Sequence, residues 1–361
     1  MLPMPADARR PRLRVLVITE AVLLALLILA PYALSDFHVM ILTRMVLLAM
    51  LAISFDLCWG YSGIMTFGQA LFFGMAGYVT ALLANEAEFT QVWGVVPLSM
   101  LTGLVVALLL GWFLLLGKRT PAIIFVALGT LTASYAAERL VAGWQWVGAA
   151  NGLSIFDFMM LGSYEFEPGA AFYYLAVGIL LLVYLFSRWM VRSQFGLVLA
   201  GMRQNEERLA FLGYRVQTYK AVVFAAAGAI AGLAGGLYAH HEGYVGPSNM
   251  GINLSTFAVL YGLFGGVGTL VGPIIGAGVI ETLSFVLSGQ DAVRAYWPVI
   301  LGVIMLVVVV WRPTGLMGLV LSPRERIGSF GRRRPPTRAE LETLDRPPAG
   351  APGKEDGHGA P

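Results

Sequence analysis

The sequence predicts an all-α, polytopic membrane protein with about ten transmembrane helices. Of the 361 residues, 58% are hydrophobic and only 12% are charged, and the mean hydropathy is +0.74. A helix that crosses a bilayer needs about 20 mostly apolar residues, because the hydrocarbon layer is roughly 30 Å thick. Ten segments meet this requirement approximately: 15–34, 39–58, 63–84, 93–116, 121–140, 170–190, 221–240, 255–271, 273–288 and 296–311.

The third predicted span is unusually rich in glycine and polar side chains, from 60–69 onward to Gly77, and the segment 262–278 repeats this character. Irregular backbone inside a membrane is tolerated where protein or a water-filled cavity satisfies its polar groups. Paired glycine-interrupted segments indicate an inverted repeat around a translocation path. We therefore align the third span with the eighth, which places Thr66-Phe67 opposite Thr256-Phe257.

The eighth and ninth predicted spans are both slightly short, and only Gly272-Pro273 separates them. Two arrangements fit this pattern. Residues 255–288 form either two complete spans or one hairpin with a broken or re-entrant half.

The positions of Lys and Arg predict the orientation in the membrane, because positively charged loops are retained in the cytoplasm. With a cytoplasmic N-terminus, the predicted inner segments hold 21 of the 24 Lys and Arg residues, and both chain ends lie inside. The formal net charge of +3 follows from this topology and gives no indication of nucleic-acid binding. The predicted outer loops carry mainly acids, including Asp36, Glu86, Glu88, Asp157, Glu165, Glu167, Glu242 and Asp291.

Composition divides the chain into three parts. Residues 1–14 form a basic cytoplasmic N-terminus, which resembles the charged region of a secretory signal but precedes an apolar core too long for one. Residues 15–320 form the transmembrane domain, with a polar loop at 192–220. Residues 321–361 hold seven of the 18 prolines and many charges, which predicts a disordered cytoplasmic tail.

Charged residues within a membrane are costly and are candidates for function. Arg44 and Asp56 occur in the second span and Glu281 in the ninth. Arg44 and Asp56 are twelve residues apart, about 18 Å along one helix, so they cannot pair with each other. Asp56 either has a structural role, reaching the interface from a helix end, or has a function. Glu281 is either a proton site of a coupled carrier or part of an interhelical hydrogen bond.

Nothing in the sequence indicates an enzyme, a cofactor or a metal site, because no set of nucleophile, base and orienting group is present. His240-His241-Glu242 lacks the spacing of about four residues that zinc ligands on one helix face need, and is interpreted as an outer-loop cluster. Cys58 is the only cysteine, which excludes an intrachain disulfide.

One dense polar segment, Arg203 to Arg208, interrupts the apolar chain and is closed by Phe211-Leu212-Gly213-Tyr214. Because water would solvate a simpler loop equally well, we interpret this polar segment as a helix on which a soluble partner docks. Arg203 and Glu207 are four residues apart and would share a helix face, and Gly213 would end the helix. The alternative is a solvated surface helix with intrahelical charge pairs.

With these segments in order, the chain resembles the membrane-spanning permease subunits of branched-chain amino-acid ABC importers over roughly residues 45–320. Each motif alone is only glycine-rich or polar membrane sequence, whereas the ordered series is specific for the family. The motifs are Trp59-Gly60-Tyr61-Ser62-Gly63, Phe67-Gly68-Gln69, Asn151-Gly152-Leu153-Ser154, the stretch 203–213 with Tyr219-Lys220, Gly232-Leu233-Ala234-Gly235-Gly236-Leu237-Tyr238, the stretch 265–273 and Pro313-Thr314-Gly315-Leu316.

The resemblance implies a subunit of an ATP-driven importer in the inner (cytoplasmic) membrane. Its partners would be cytoplasmic ATP-binding subunits, a second homologous permease subunit and an extracytoplasmic solute-binding protein. The loop 192–220 would carry the coupling helix, and the residues expected to couple to the ATPase are Arg203, Asn205, Glu206, Glu207, Arg208 and Gly213.

The substrate stays open at this point. The family often has histidine where this chain has Gln69, and related permeases carry urea or short amides, a branch whose sequences this chain also fits. Branched-chain amino acids, similar small polar solutes and amides are therefore all possible cargo. Candidates for the translocation pathway are polar residues in glycine-rich segments, each of which could equally hydrogen-bond a neighbouring helix: Thr66, Gln69, Asn151, Ser255 and Thr256.

A second class of function is an ion-coupled secondary transporter, in which Arg44, Asp56 and Glu281 would be the proton or ion residues. Such a carrier needs no ATPase. It predicts uptake that collapses with an uncoupler while ATP persists.

Overall fold

The structure is a computed structural model that describes residues 11–116, 123–288, 296, 299–300, 302–303, 306 and 315–320. Predictions that fall on 1–10, on Lys118-Arg119, on most of 296–311 and on the tail 321–361 lie outside the described residues. The α-helices of the described part are α1 (Pro11–Ala33), α2 (Asp36–Asp56), α3 (Gln69–Ala87), α4 (Val92–Leu115), α5 (Ile123–Gly143), α6 (Ala170–Arg192), α7 (Gln194–Gln204), α8 (Glu206–Phe211), α9 (Val216–Glu242), α10 (Ile252–Gly265), α11 (Val271–Ser288) and α12 (Met317–Val320).

Seven helices among the described residues are long and apolar enough to cross a membrane. Two further apolar helices, Val17–Ala33 and Ile252–Gly265, are shorter. The first nine predicted spans each fall on one of these helices, which supports the multi-pass helical class. The seven long helices are Asp36–Tyr61, Gln69–Ala87, Val92–Leu115, Ile124–Gly143, Ala170–Arg192, Val216–Glu242 and Val271–Ser288.

Four short strands were not predicted, so the all-α prediction is incomplete. β1 (Leu153–Ser154) pairs antiparallel with β4 (Tyr244–Val245), and β2 (Met159–Leu161) pairs antiparallel with β3 (Tyr164–Phe166). These strands lie in the loops that join α5 to α6 and α9 to α10. We call this the strand end of the bundle, and the opposite end, where α7 and α8 lie, the α8 end.

The third and eighth predicted spans are broken, as the glycine pattern indicates. α2 continues through a π-helical turn at Leu57–Tyr61, residues 62–68 form no helix, and α3 begins only at Gln69. α10 has only 14 residues: it follows a 3₁₀ turn at Pro247–Met250, and residues 266–270 after it form no helix. Thus the non-helical parts of both predicted spans, 62–68 and 266–270, lie toward the α8 end.

α10 and α11 pack against each other as a hairpin, in which α10 is short and α11 is long enough to cross a membrane. Residues 266–270 are the turn between them, with Gly266, Gly268 and Leu270 at positive φ. Tight packing closes the hairpin, since a Cβ atom added at Gly276 would meet the carbonyl oxygen of Tyr261.

The core is built around α9, which packs against α2, α3 and α4. Small residues allow a close approach, because a side chain on Gly232 would meet the backbone of Ser99 and Gly103 on α4. In lipid, packing of this kind replaces hydrophobic exclusion as the force that holds helices together. A side chain on Gly235 would likewise meet the backbone of Phe73 on α3.

Candidate coupling and translocation sites

The polar segment forms the end of one helix and the start of another. α7 ends at Gln204, and Asn205 takes an extended conformation with φ −164° and ψ 107°. The side chain of Asn205 caps α8, because its Oδ1 atom accepts a hydrogen bond from the backbone N–H of Arg208 at 3.0 Å. The expectation that Arg203 and Glu207 share a helix face is wrong, since the break at Asn205 places them on different helices.

α8 presents an exposed surface with a mixed apolar and charged character. Phe211 is 90% exposed and Leu212 is 73% exposed, and Glu207 and Arg208 on the same helix are exposed as well. Beside it lies an open groove of about 390 Å³. Exposed apolar side chains next to charges are typical of a surface that binds another protein. The groove is lined by Gly201, Gln204, Asn205, Arg208, Leu209 and Leu212.

One ion pair holds α8 on the bundle, and a glycine ends the helix. Glu206 pairs with Lys220 of α9 at 2.7 Å, and Lys220 is buried. Gly213 ends α8 with φ +87°, a conformation that glycine adopts without strain. The backbone N–H of Gly213 donates to the carbonyl of Ala210 at 3.0 Å. Gly213 is therefore the helix stop that the sequence predicts, whereas Glu206 faces the bundle.

Arg203 leaves the exposed surface and extends toward the broken third span. Its guanidinium donates to the carbonyl oxygen of Gly60, and its side chain also lies near Gly63 and Gly268. One arginine of α7 therefore contacts the segment after α2 and the turn between α10 and α11. The sequence does not predict this contact, because Arg203 and Gly60 are 143 residues apart in the chain.

Asp56 lies fully buried beside this contact. Its carboxylate accepts hydrogen bonds from the backbone N–H groups of Gly268 at 2.5 Å and Leu270 at 3.1 Å. The idea that Asp56 reaches the interface is wrong, since its side chain is fully enclosed. Instead it holds the 266–270 turn against the end of α2. We call Asp56, Gly60, Arg203, Gly268 and Leu270 the junction.

Three of the five predicted pathway residues are buried and hydrogen-bonded within the protein. Thr66 accepts from the N–H of Gly68 at 3.1 Å, and Ser255 accepts from the N–H of Ala70 at 3.4 Å. Gln69 accepts from Ser54 at 3.1 Å through its Oε1 atom. Thr66, Gln69 and Ser255 thus surround the start of α3.

The other two predicted pathway residues, Asn151 and Thr256, are exposed. Thr256 donates back to the carbonyl of Ile252 at 2.8 Å, and the carbonyl of Asn151 accepts from the hydroxyl of Tyr244 at 3.0 Å. Asn151 therefore lies at the strand end, next to the pairing of β1 with β4.

Sequence reasoning missed two hydroxyl residues on α5 that hold the broken third span and the turn before α10. Thr130 accepts from the N–H of Phe67 at 3.1 Å, and Ser134 donates to the carbonyl of Met250 at 2.5 Å. Because the two hydroxyls are one helical turn apart, α5 bridges the non-helical part of the third span and the 3₁₀ turn Pro247–Met250. The only sequence signal was two small hydroxyl residues four apart in an apolar helix.

The histidines are not an outer-loop cluster, because they belong to the last turn of α9 and are buried. Nδ1 of His240 lies 2.9 Å from the carbonyl of Gly236, and Nε2 of His241 lies 3.0 Å from the carbonyl of Met40 on α2. Within the described ranges, no group of three or more His, Cys, Asp or Glu residues is placed to hold a metal ion.

Two of the membrane charges predicted from the sequence meet. Arg44 lies near Glu281, and Glu242 of α9 joins them. A separate ion pair connects Glu20 of α1 with Arg188 of α6. Polar groups in apolar helices are thus paired across helices, as the cost of an isolated charge in lipid requires.

An apolar helical bundle with two glycine-broken spans is the architecture of a multi-pass membrane transporter. The sequence matches the family described as "Branched-chain amino acid transport system / permease component" over residues 37–309. The chain therefore belongs to this family, and the resemblance seen in the motifs is confirmed.

Individual relatives agree with this assignment. The high-affinity branched-chain amino acid transport system permease protein LivM of Salmonella typhimurium is 26% identical, with 82% of this chain and 74% of the relative covered. The probable LivM of Methanocaldococcus jannaschii is 24% identical over 78% of this chain and 93% of its own length. The autoinducer 2 import system permease protein LsrC of Enterobacter sp. is 29% identical over 66% of this chain and 69% of its own length. No solved structure matches the chain.

Proposed function

We propose that this chain is the membrane-spanning subunit of an ATP-driven importer in the cytoplasmic membrane. It translocates branched-chain amino acids or similar small solutes that a binding protein delivers. Its partners are cytoplasmic ATP-binding subunits, a second homologous permease subunit and an extracytoplasmic solute-binding protein. Residues 15–320 form the permease domain, 1–14 the basic N-terminus and 321–361 the tail, with both termini in the cytoplasm.

The observation that carries this proposal is the contact of Arg203 with Gly60. α8 offers a partner an exposed surface, and Arg203 links the adjoining helix α7 to the two broken spans. A force on α8 reaches the junction through a short path, because only Asn205 separates α8 from α7, the helix that carries Arg203. We expect ATP-driven closure of the ATPase dimer to move α7 and thereby to change the contact between Gly60 and Gly268.

The residues expected to couple to the ATPase are divided among three roles. Glu207, Arg208, Phe211 and Leu212 form the docking face, because they are the exposed side chains of α8 and its end. Asn205, Glu206 and Gly213 shape α8, since they cap it, tie it to α9 and end it. Arg203 transmits movement to the junction.

The relatives support a small polar cargo, although they differ in it. LivM is named for branched-chain amino acids and LsrC for autoinducer 2. We place branched-chain amino acids first, because the family and the LivM relatives share that description. Urea and short amides are the alternative within the same class of importer.

A second candidate function, an ion-coupled secondary transporter, is favoured by one observation. Arg44 and Glu281 lie close together within apolar helices, as proton or ion sites of carriers do. Asp56 does not support that role, because its carboxylate accepts two hydrogen bonds from backbone N–H groups and serves the junction in this proposal.

Purification and uptake distinguish the two functions. The chain is expressed with its cognate ATPase, second permease and binding protein, and the complex is reconstituted in proteoliposomes. We expect the ATPase to co-purify and uptake to require ATP and to be blocked by vanadate. Loss of uptake on adding an uncoupler while ATP persists, with no bound ATPase, would establish the secondary transporter instead.

Two variants separate docking from transmission. Glu207→Arg reverses an exposed charge on the docking face and should release the ATPase. Arg203→Gln should retain the ATPase but lower the solute moved per ATP by roughly tenfold, the loss expected when a hydrogen bond from a charged group is removed. Arg192→Gln is the matched control, because Arg192 is an exposed arginine at the same end of the bundle. Equal behaviour of the Arg203 and Arg192 variants would contradict the transmission role of Arg203.

The orientation has its own test. Chemical labelling of residues 197–219 from outside intact cells would contradict the cytoplasmic location of this segment.

A further inference from the structure

A group of charged side chains from three helices lies within the apolar bundle near the strand end. The Nε atom of Arg44 on α2 is 3.9 Å from Oε1 of Glu242 on α9 and 3.8 Å from Oε2 of Glu281 on α11. We call Arg44, Glu242 and Glu281 the charge cluster. Arg44 is eight residues from the start of α2, about 12 Å along the helix, whereas Glu242 is the last residue of α9.

The carboxylate of Glu281 is held in place by the surrounding helices. The hydroxyl of Tyr261 on α10 donates to Oε1 of Glu281 at 2.5 Å. The Arg44 guanidinium lies over the ring of Tyr238, 5.9 Å from its centre, which is within the range of a cation–π contact. Four helices thus converge on this cluster: α2 and α9 of the core, and α10 and α11 of the hairpin.

These contacts do not engage the hydrogen-bond donors of the Arg44 guanidinium. Separations of 3.8 and 3.9 Å are ion pairs, but they are longer than a hydrogen bond. Among the residues that the structure describes, Arg44 makes ion pairs and no hydrogen bond. The side chains of Arg44, Glu242 and Glu281 are 47%, 32% and 14% exposed, so the cluster opens to one side of the chain.

Ion pairing offsets the cost of these charges but gains little stability by itself. Exposed ion pairs contribute about 0–1 kcal/mol, and charges within membrane spans, which almost always pair with one another, mark substrate or ion pathways. A tight static pair would also be expected to form short, forked hydrogen bonds between Arg and carboxylate. The longer separations of 3.8 and 3.9 Å between Arg44 and the two carboxylates suit an arginine that exchanges these partners for a ligand.

We propose that the charge cluster is a transient binding site for a small solute that carries both a carboxylate and an ammonium group. The free donors of Arg44 bind the carboxylate, and the carboxylates of Glu242 and Glu281 bind the ammonium group. Two acids and one base leave an excess negative charge, which favours a ligand with a cationic part. A neutral amide gains little binding energy from either the positive or the negative charges of the cluster. The site therefore favours amino acids over the amides that the proposed function leaves open.

The position of the cluster agrees with this role, which rests on the proposed function. Glu242 is the last residue of α9, directly before β4 and its pairing with the Asn151 loop. The strand end is the extracytoplasmic end in our proposed orientation. A solute released there by a binding protein would meet the charge cluster before the junction, which lies about 18 Å farther along α2, the distance from Arg44 to Asp56.

The test uses the complete complex in proteoliposomes, with leucine as the probe and the binding protein saturated with it. Arg44→Gln and Glu281→Gln remove one charge each, and Glu281→Gln keeps an oxygen for the Tyr261 hydroxyl. We expect both to lower leucine moved per ATP by roughly tenfold, as loss of a charged hydrogen-bond partner does, while ATPase activity stimulated by the binding protein persists. Arg44→Lys should restore part of the transport, because it keeps the charge without the forked donors.

Arg139→Gln is the matched control, since Arg139 is another arginine of an apolar helix that lies over an aromatic ring, 5.0 Å from the centre of Tyr135. Unchanged leucine transport in Arg44→Gln and Glu281→Gln would overturn the site. A parallel loss of assembly and ATPase activity in Arg44→Gln, Arg44→Lys and Glu281→Gln would indicate a structural role and would also overturn the site. Transport of acetamide but not leucine by the unchanged complex would overturn it as well. Absence of any ATP-dependent uptake by the unchanged complex would instead refute the proposed function.

Discussion

Replacement of Asp56 by alanine tests the junction most directly. The carboxylate is the acceptor for the N–H groups of Gly268 and Leu270, and all three groups are buried. Without it, two donors remain inside the protein with no partner. Each unsatisfied buried donor costs about 1–3 kcal/mol, so we expect Asp56→Ala to lower the free energy of unfolding by about 2–6 kcal/mol.

Asparagine at the same position gives an internal comparison. Asp56→Asn keeps one oxygen, which accepts one of the two bonds, but its amide N–H₂ faces the other donor. The expected loss is therefore smaller, roughly 1–3 kcal/mol for one unsatisfied donor. The order wild type, Asn, Ala is a consequence of the geometry and does not depend on the absolute values.

The assay is reversible denaturant unfolding of the purified chain in mixed micelles, followed by tryptophan fluorescence. Asp36→Ala is the control, because Asp36 is an exposed acid in the first turn of the same helix and contributes about 0.3–1 kcal/mol through the helix dipole. If Asp56→Ala unfolds within about 0.5 kcal/mol of Asp36→Ala, the usual scatter of surface substitutions, the reasoning about the junction is refuted.

Two further predictions concern the junction and α8. Gly60→Ala should reduce both transport and stability, because the added Cβ atom would lie 2.6 Å from the backbone nitrogen of Gly268. Gly178→Ala is the control and should leave uptake and unfolding unchanged, because no atom lies within 4 Å of the added Cβ atom. Equal effects of the two substitutions would contradict the close approach of Gly60 to Gly268. Glu206→Gln should lower the free energy of unfolding by roughly 1–3 kcal/mol, because it leaves the buried Lys220 without its charged partner. The neighbouring Glu207→Gln should not lower it. A larger loss in the Glu207 variant would show that the ion pair between α8 and α9 is misassigned.

The predicted spans agree with the helices because apolar length is a local property of the sequence. Each of the first nine segments contains enough consecutive apolar residues to form one helix, and no distant residue is needed to recognise it. The broken spans were also predictable, since the glycines at 60–68 and 262–268 mark them directly. The strands were not, because two or three residues carry too little pattern to distinguish a strand from a loop.

The junction could not be predicted in the same way. Gly60 and Arg203 are 143 residues apart, and Asp56 and Gly268 are 212 residues apart. Neither spacing nor composition shows that an arginine of a polar surface segment extends inward to a glycine carbonyl. The break at Asn205 was within reach of the sequence, because asparagine before two acids is a common helix start, yet the regular four-residue spacing of Arg203 and Glu207 favoured one continuous helix.

Sequence by itself determined that this chain lies in a membrane, approximately which segments form its long helices, and that one polar segment interrupts them. These features depend on the transfer free energies and backbone preferences of neighbouring residues. Only the tertiary structure decided which polar side chains face each other: Asp56 caps a distant turn, Arg203 contacts Gly60, and Arg44 meets Glu242 and Glu281. The physical reason is that a buried polar group is satisfied by whichever partner the packed helices bring within about 3–4 Å, and that choice is made between helices far apart in the chain.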